Sequence, residues 1–126
     1  APLAPEVVWL RRQLVASQGR ARVELLMDET GWSRRHVTER FRRQLGITPK
    51  AYARLLRFEH ATDLLRGDRP SRSLADVAMA AGYYDQSHLT RDFATLAGVT
   101  PGAFVASAAV APEVRFVQDP NDPLPA

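Results

Sequence analysis

The sequence predicts an all-α protein of about seven helices, built as two similar subdomains joined by a long linker helix. The first observation is a repeat: the segment 46–52, GITPKAY, returns 52 residues later as 98–104, GVTPGAF. The second is that apolar residues recur every three or four positions, as they do in amphipathic helices. The third is that glycine, proline or a small polar residue stands where each apolar stripe ends or begins. A repeat at this period indicates one supersecondary unit used twice.

The duplication extends upstream of the repeated segment. Phe41 pairs with Phe93 at the same offset of 52 residues. Nearer the N-terminus the offset becomes 51, because Trp32 in the first copy stands against Tyr83 and Tyr84 in the second. The second copy therefore has one extra residue in the turn between its first two helices.

Apolar stripes and capping residues place three helices in the first copy. The first opens at Pro5, where a missing N–H costs nothing. The second covers about 20–29 and stops before Gly31, where a left-handed residue is expected. The third runs from an N-cap at Ser33 to about residue 45. The predicted buried residues of the second and third helices are Val23, Leu25, Leu26, Met27, Val37, Phe41 and Leu45.

The fourth helix is the predicted linker. Thr48 and Pro49 supply its cap and first helical residue, and it should continue to about Arg66. Its wide apolar face is predicted to comprise Ala51, Tyr52, Leu55, Leu56, Phe58, Ala61, Leu64 and Leu65.

The second copy predicts three further helices after a turn at 67–70. Ser71 or Ser73 caps the first, Asp85 caps the next, which continues to about residue 96, and Thr100 precedes the last, which ends near Ser107. The predicted organisation is a first subdomain over 1–47, the linker helix over 48–66, a second subdomain over 67–107 and an extended or disordered tail over 108–126. A short strand at 114–117 is the alternative within that tail.

The composition excludes several classes of function. None of the 126 residues is cysteine, so disulfides, cysteine-based zinc sites and thiol catalysis are absent. No apolar run approaches the roughly 20 residues that span a bilayer, and the start of the chain does not resemble a signal peptide. There is no glycine-rich phosphate loop and no paired-carboxylate site, so we expect neither an enzyme nor a bound cofactor. The missing initiator Met is compatible with a piece of a longer protein.

The charge points to a polyanionic partner. The chain has 17 basic and 14 acidic residues and a pI near 9.9. Residues 1–107 hold 16 of the basic and 11 of the acidic residues, and every basic residue except Lys50 is arginine. Arginine presents a planar fork of donors that suits phosphate and guanine.

Each copy consists of a short helix, a glycine turn and a longer helix, which is the pattern of a helix-turn-helix. The second helix of such a motif enters the major groove of DNA. With the apolar stripes turned inward, the outer faces carry side chains that bind base edges. The predicted base contacts are Arg34, Arg35, Thr38, Gln86, Ser87, Thr90 and Arg91. The predicted phosphate contacts are Arg40, Arg42, Arg43, Lys50, Arg54 and His88.

The linker helix would set the distance between the two motifs. A helix of about 19 residues is roughly 28 Å long at 1.5 Å per residue. That length approaches one turn of DNA, about 34 Å. One chain could then contact two successive major-groove segments.

These motifs resemble the DNA-binding domain of AraC/XylS-type transcription regulators. The resemblance covers about residues 5–107 and is strongest over 73–93 with 98–101, SLADVAMAAGYYDQSHLTRDF and GVTP; the first copy matches over 31–41 and 45–49. It implies two helix-turn-helix subdomains joined by a long linker helix and binding to promoter or operator DNA. It also implies contact with RNA polymerase, a separate N-terminal sensor domain missing from this chain, and a cytoplasmic, nucleoid-associated place in a bacterium.

Two residues depart from that family's pattern. Met27 stands where the family usually has a small alanine, which the second copy keeps as Ala78. Glu39 occupies the exposed position that Arg91 has in the second copy. The first motif is therefore expected to bind DNA differently from the second.

The sequence offers three alternatives to DNA binding. His36 and His88 recur at one offset, but two lone histidines make poor metal ligands. Asp85, Ser87 and His88 on one helical turn do not have the geometry of a hydrolase triad. The remaining alternative to DNA binding is a helical protein-interaction module, which docks through an apolar helix face or the segment 114–117.

Overall fold

The computed structural model describes residues 2–67 and 73–110, and these residues form seven helices and no strand. The prediction of an all-α fold is confirmed. The helices are α1 (Pro5–Ala16), α2 (Val23–Glu29), α3 (Arg34–Leu45), α4 (Pro49–Arg66), α5 (Leu74–Ala80), α6 (Gln86–Leu96) and α7 (Pro101–Val110). Among the helices of these two stretches, none combines the length and the hydrophobicity that a membrane span requires.

The described residues divide into two compact units within α4. One unit ends at Leu56 and the other begins at Arg57. The first contains α1 to α3 with the start of α4, and the second contains the end of α4 with α5 to α7. Each unit therefore holds one copy of the repeat. The subdomain limits at 47 and 67 stay a prediction.

The core of the first unit is formed by one face of each of its helices. Leu10 in α1, Phe41 in α3 and Ala53 in α4 are fully buried, and the rings of Phe41 and Tyr52 pack nearly perpendicular with their centroids 5.7 Å apart. Burying each large apolar side chain contributes about 1.5–3 kcal/mol. The other buried apolar members are Ala4, Val7, Leu14, Val23, Met27 and Val37.

The second unit has a corresponding core around Phe93. Phe58 from α4 and Phe104 from α7 contact that ring, with centroids 4.7 and 5.4 Å away. Phe93 thus has the place in α6 that Phe41 has in α3. The remaining buried apolar residues of this core are Ala61, Val77, Ala78, Ala81, Tyr83 and Leu89.

The repeated segment has the same local role twice. Gly46 and Gly98 adopt left-handed backbone angles, φ +79° and +72°, at the ends of α3 and α6. The hydroxyl of Thr48 then accepts the N–H of Ala51 at 3.1 Å, and the hydroxyl of Thr100 accepts the N–H of Ala103 at 3.0 Å. Each copy therefore ends one helix and caps the next.

Several sequence predictions differ from the structure in detail. The second helix begins at Val23 rather than at residue 20, because Gln18 and Gly19 are left-handed and Arg20 and Ala21 bond back to Ser17. The prediction that Leu25 is buried is wrong, because 52% of this residue is exposed. In a helix of seven residues, the buried stripe set by Val23 and Met27 leaves Leu25 on the opposite side.

At the other end of the chain α7 continues to Val110, three residues beyond its predicted end. Ser73 rather than Ser71 is the N-cap of α5: its hydroxyl accepts the N–H of Asp76 at 3.1 Å, and the carboxylate of Asp76 accepts the N–H of Ser73. Ser71, the turn residues 68–70 and the strand alternative at 114–117 lie outside the described residues, as does the tail from residue 111 onward.

Candidate nucleic-acid interface

The turn between α2 and α3 is built on a glycine and an aromatic stack. Gly31 has φ +81°, and a Cβ added there would meet nothing within 4 Å, so the left-handed backbone rather than crowding favours glycine. The next residue, Trp32, stacks on His36 of α3 with centroids 4.0 Å apart and planes 17° apart. Trp32 therefore packs against the first turn of α3.

The first arginine of α3 is held by an acid of α2. Arg34 donates through Nε to Asp28 Oδ1 and through Nη2 to Asp28 Oδ2, both at 2.8 Å. This fork-to-fork geometry is the strong form of the arginine–carboxylate pair. The bonds from Arg34 hold the pKa of Asp28 below its ordinary value. Arg34 thus joins the two helices of the motif at their polar surface.

α1 holds the same helix from another side. His36 Nε2 donates to Glu6 Oε2 at 2.7 Å, and the Glu6 side chain is largely covered. His36 lowers the pKa of Glu6, first through that hydrogen bond and further through its charge. The backbone N–H of Ala4 donates to Gln44 Oε1 at 2.8 Å, near the other end of α3. The start of α1 is therefore bonded to both ends of α3.

Thr38 lies against Met27, the residue that departs from the family's alanine. Met27 is buried, and the Thr38 hydroxyl donates to its sulfur, a weak acceptor, at 3.4 Å. Thr38 is half-buried in this arrangement. The structure thus places this predicted base contact at the junction of α2 and α3 rather than on the open face.

The remaining cations of α3 fall into two groups. Arg35 and Arg43 are exposed and have no polar side-chain partner in the described part of the chain. Arg42 donates to Glu39 Oε2 at 3.1 Å, and Arg40 is half-buried and contributes to lowering the pKa of Glu6. Arg35 and Arg43 are consequently the α3 cations most open to an incoming phosphate or base.

The exposed face of α6 is different. Gln86, Ser87 and Arg91 are exposed and Thr90 is half-buried. Within residues 2–67 and 73–110 none of these four side chains has a hydrogen-bond or ion-pair partner. The opposite face carries Leu89 and Phe93, both fully buried. The predicted base contacts of α6 thus share one open polar surface.

The N-terminal end of α6 is set by Asp85 and His88. Asp85 Oδ1 accepts the backbone N–H of His88 at 2.8 Å, which caps the helix. The His88 ring lies edge-on to Tyr83 at 5.0 Å, and its Nδ1 accepts the N–H of Tyr84 at 3.5 Å. With Nδ1 so occupied, a neutral His88 carries its proton on Nε2, which can donate to a phosphate oxygen.

The two other predicted phosphate contacts lie on α4. Lys50 Nζ is 2.9 Å from Glu24 Oε1 of α2, and that contact lowers the pKa of Glu24. The Lys50 side chain remains 70% exposed. Arg54 is half-buried and takes part in interactions of its own.

Sequence reasoning missed the acids that hold these groups. Glu6, Glu24 and Asp28 are the carboxylates bonded to His36, Lys50 and Arg34. The available signal was the position of Asp28 near the end of one helix and Arg34 at the start of the next. The buried carboxyl of Asp92 on α6 was also missed. Nowhere in the described ranges do three or more His, Cys, Asp or Glu side chains form a group that could hold a metal ion.

Parts of this sequence match a known protein family and known regulators. A family model described as "Helix-turn-helix domain" matches residues 26–107. The activator RhaR of Klebsiella pneumoniae is 36% identical over 90 residues, which are 71% of this chain and 31% of that protein. The regulator YbfI of Bacillus subtilis, called uncharacterized, is 42% identical over 65 residues, 51% of this chain and 22% of its own. The chain thus spans less than a third of either relative.

Two solved structures share the fold. A probable AraC family transcriptional regulator from Rhodopseudomonas palustris matches with a TM-score of 0.71 and 26% identity over 83% of this chain and 98% of that one. The DNA-binding domain of AdpA, solved with a target DNA, matches with a TM-score of 0.75 and 24% identity over 88% of this chain and 100% of that one. At that identity the second likeness shows the fold alone.

Proposed function

The chain belongs to the helix-turn-helix domain family as an AraC/XylS-type DNA-binding domain of a transcription regulator, and on this premise we propose that it binds double-stranded DNA with α3 and α6, each in the major groove. The observation that carries the proposal is the open polar face of α6. Gln86, Ser87, Thr90 and Arg91 lie together there without a polar partner among the described residues.

The side-chain types on α6 determine what they can bind. Glutamine pairs with adenine N6 and N7, arginine with guanine O6 and N7, and serine or threonine with several base edges. Because Leu89 and Phe93 fix the inner face of α6, its outer face has one defined orientation in the second unit. We assign the base contacts of the second motif to Gln86, Ser87, Thr90 and Arg91.

For the first motif we assign base contacts to Arg34 and Arg35, with Thr38 in a minor role because its hydroxyl meets Met27. The phosphate contacts are Arg40, Arg42, Arg43, Lys50 and Arg54 here and His88 in the second motif. Phosphate neutralisation releases counterions, so affinity falls steeply with salt.

The spacing between the two DNA sites would follow from α4. It has 18 residues, which is about 27 Å at 1.5 Å per residue. One motif precedes α4 in the sequence and the other follows it, so this length suits two DNA sites separated by about one helical turn. The subdomains 1–47 and 67–107 would each supply one site.

Selection of bound sequences from random duplexes tests the proposal. The expected result is two short enriched boxes about one helical turn apart, with binding that weakens as salt increases. One box would remove α3 from base recognition. Equal affinity for selected and scrambled duplexes would remove base recognition altogether. Little DNA affinity even at low salt would favour the protein-interaction module.

We also propose that the complete regulator is a transcriptional activator that contacts RNA polymerase and carries a sensor domain N-terminal to this one. The support is that the matched relatives in Klebsiella and Yersinia are called activators, and that their matched parts are about a third or less of their length. Such a protein would act in the bacterial cytoplasm, at the nucleoid. Expression of a reporter under a selected site, with and without the full-length gene, tests this: activation is expected, and repression would contradict it.

A further inference from the structure

The ion pair between Asp28 of α2 and Arg34 of α3 joins the two helices and can also act in DNA recognition. We propose that Asp28 is a specificity-determining positioning residue, which holds one edge of the Arg34 guanidinium so that its other edge is presented to a guanine in the major groove. This inference rests on the proposed function. It adds a residue of α2 that does not itself touch DNA.

The geometry of the pair leaves the needed edge open. Asp28 takes the side of the guanidinium formed by Nε and Nη2, with both bonds at 2.8 Å. A guanidinium carries five N–H donors in a rigid fork. The end formed by Nη1 and the second hydrogen of Nη2 therefore keeps two parallel donors. That pair of donors is what guanine O6 and N7 accept in a bidentate contact.

Exposure of the pair supports a role toward a ligand. The Arg34 and Asp28 side chains are 54% and 49% exposed, and an exposed ion pair by itself contributes little to stability. The bonded Arg34 has already lost much of the rotamer freedom that an arginine otherwise loses when it binds. The positive charge of Arg34 also offsets part of the repulsion between the Asp28 carboxylate and the phosphates of DNA.

The pair occurs in the first motif alone. At the matching positions of the second copy stand Met79 and Gln86, so the acid and the arginine are replaced together. Gln86 has no polar partner among the described residues. The first motif therefore has a held arginine where the second has a free glutamine.

The test compares base preference among variants of the whole chain, with the duplex selected by the unmutated chain as probe. Arg34→Ala and Arg34→Lys should each lower discrimination at one guanine position about five-fold or more, because neither side chain makes the bidentate contact. Asp28→Asn should lower discrimination at that same position about three-fold or more, with other positions unchanged. In the Arg34→Ala background, Asp28→Asn should have no further effect there.

Glu29→Gln is the matched control, since it removes the same charge from the neighbouring exposed residue, which has no ion-pair partner in the described part of the chain. It should leave that discrimination within about two-fold. Thermal unfolding of Asp28→Asn shows whether the fold is kept. If it unfolds early, Asp28→Glu, which keeps the carboxylate, should restore the guanine preference.

Four outcomes would overturn the inference. In one, Asp28→Asn leaves the Arg34-dependent preference unchanged; in another, it sharpens that preference, which would mean that Asp28 withholds Arg34 from DNA. In a third, Arg34→Ala changes no base position while α6 still selects its box, so the proposed function survives without this assignment. If the unmutated chain selects no sequence, the inference and the proposed function are overturned together.

Discussion

The two helix-turn-helix motifs share their buried apolar positions and helix caps, but they differ in how α3 and α6 are held. α3 is bonded to the start of α1 through His36 and Gln44 and to α2 through Arg34. The four assigned base contacts of α6 have no polar partner in the described parts of the chain. A duplication has kept the apolar positions and the caps while the polar faces have diverged.

Because of this difference, the two motifs lose side-chain rotamer freedom at different stages, before binding in α3 and on binding in α6. The bonds of Arg34, His36 and Gln44 hold these side chains of α3 before DNA arrives, so binding orders these three little further. The free side chains of α6 lose their rotamer freedom only on binding, at about 0.5–1.5 kcal/mol for each one fixed. We expect α3 to bind few alternative DNA sequences and α6 to bind more of them.

The largest expected effect tests the shared buried positions. Phe41→Ala and Phe93→Ala each empty the same place in one of the two cores, where both rings are fully buried. Each change should lower the free energy of unfolding by about 3–5 kcal/mol, as measured by denaturant titration. Tyr84→Ala, at an exposed position, is the control and should change it by less than about 0.5 kcal/mol. A small loss for one phenylalanine alone would show that the two cores are not equivalent.

The next effect tests the open face of α6. Gln86→Ala and Arg91→Ala should each weaken specific binding by about 1–3 kcal/mol per lost base contact and relax preference at one position. Fluorescence anisotropy with selected and scrambled duplexes measures both quantities. Arg12→Ala removes an exposed arginine of α1 and should affect the two duplexes equally. Equal weakening of both duplexes by Arg91→Ala would instead assign Arg91 to phosphate.

A smaller effect tests the bond between α1 and α3. Glu6→Ala should lower the free energy of unfolding by about 1.5 kcal/mol, the lower end for a hydrogen bond to a charged group. Because the pKa of Glu6 is lowered in the folded chain, its contribution is complete above the unfolded value of about 4.3 and is lost as the pH falls through the folded value. Glu6→Gln should therefore flatten the acid side of the stability profile. An unchanged profile would mean that the His36 bond is absent in solution.

The smallest effect tests the exposed acid of α3. Glu39→Gln removes a negative charge from the face assigned to DNA and releases Arg42 from its bond at 3.1 Å. Affinity for any duplex should increase by about two- to three-fold at low salt, and the salt dependence should steepen by up to about one ion. Arg43→Gln, which removes an exposed cation of the same helix assigned to phosphate, should change both quantities in the opposite direction. A selective loss of one base preference in Glu39→Gln would assign that acid to cytosine.

Most of the helix limits and buried positions were predictable, because they depend on capping residues and apolar spacing within a few positions of the chain. Gly46, Thr48 and Pro49 specify a left-handed stop, a cap and a first helical residue within four positions, and the repeat supplies the same information at Gly98. Spacing of apolar residues gave α3 and α6 almost to the residue. The short α2 was harder, because seven residues hold too little periodicity to separate Leu25 from its buried neighbours.

The side-chain partners of the site were not predictable from periodicity. Glu6 and His36 are thirty positions apart and meet only because α1 packs against α3. The closeness of Thr38 to Met27 likewise depends on the depth at which α2 and α3 pack. A pattern of outward-facing residues indicates which side chains leave the core, but it does not show which of them are already bonded to a neighbouring helix.

Lys50, the residue that pairs with Glu24, has a practical use for studying the domain. Lys50 is the one lysine among the 17 basic residues, and its amine is well exposed at the first turn of α4. An amine-reactive reagent would thus label one side chain, that of Lys50, besides the α-amino group of the chain, without an engineered cysteine. Its labelling rate would report whether that end of α4 is covered in a complex.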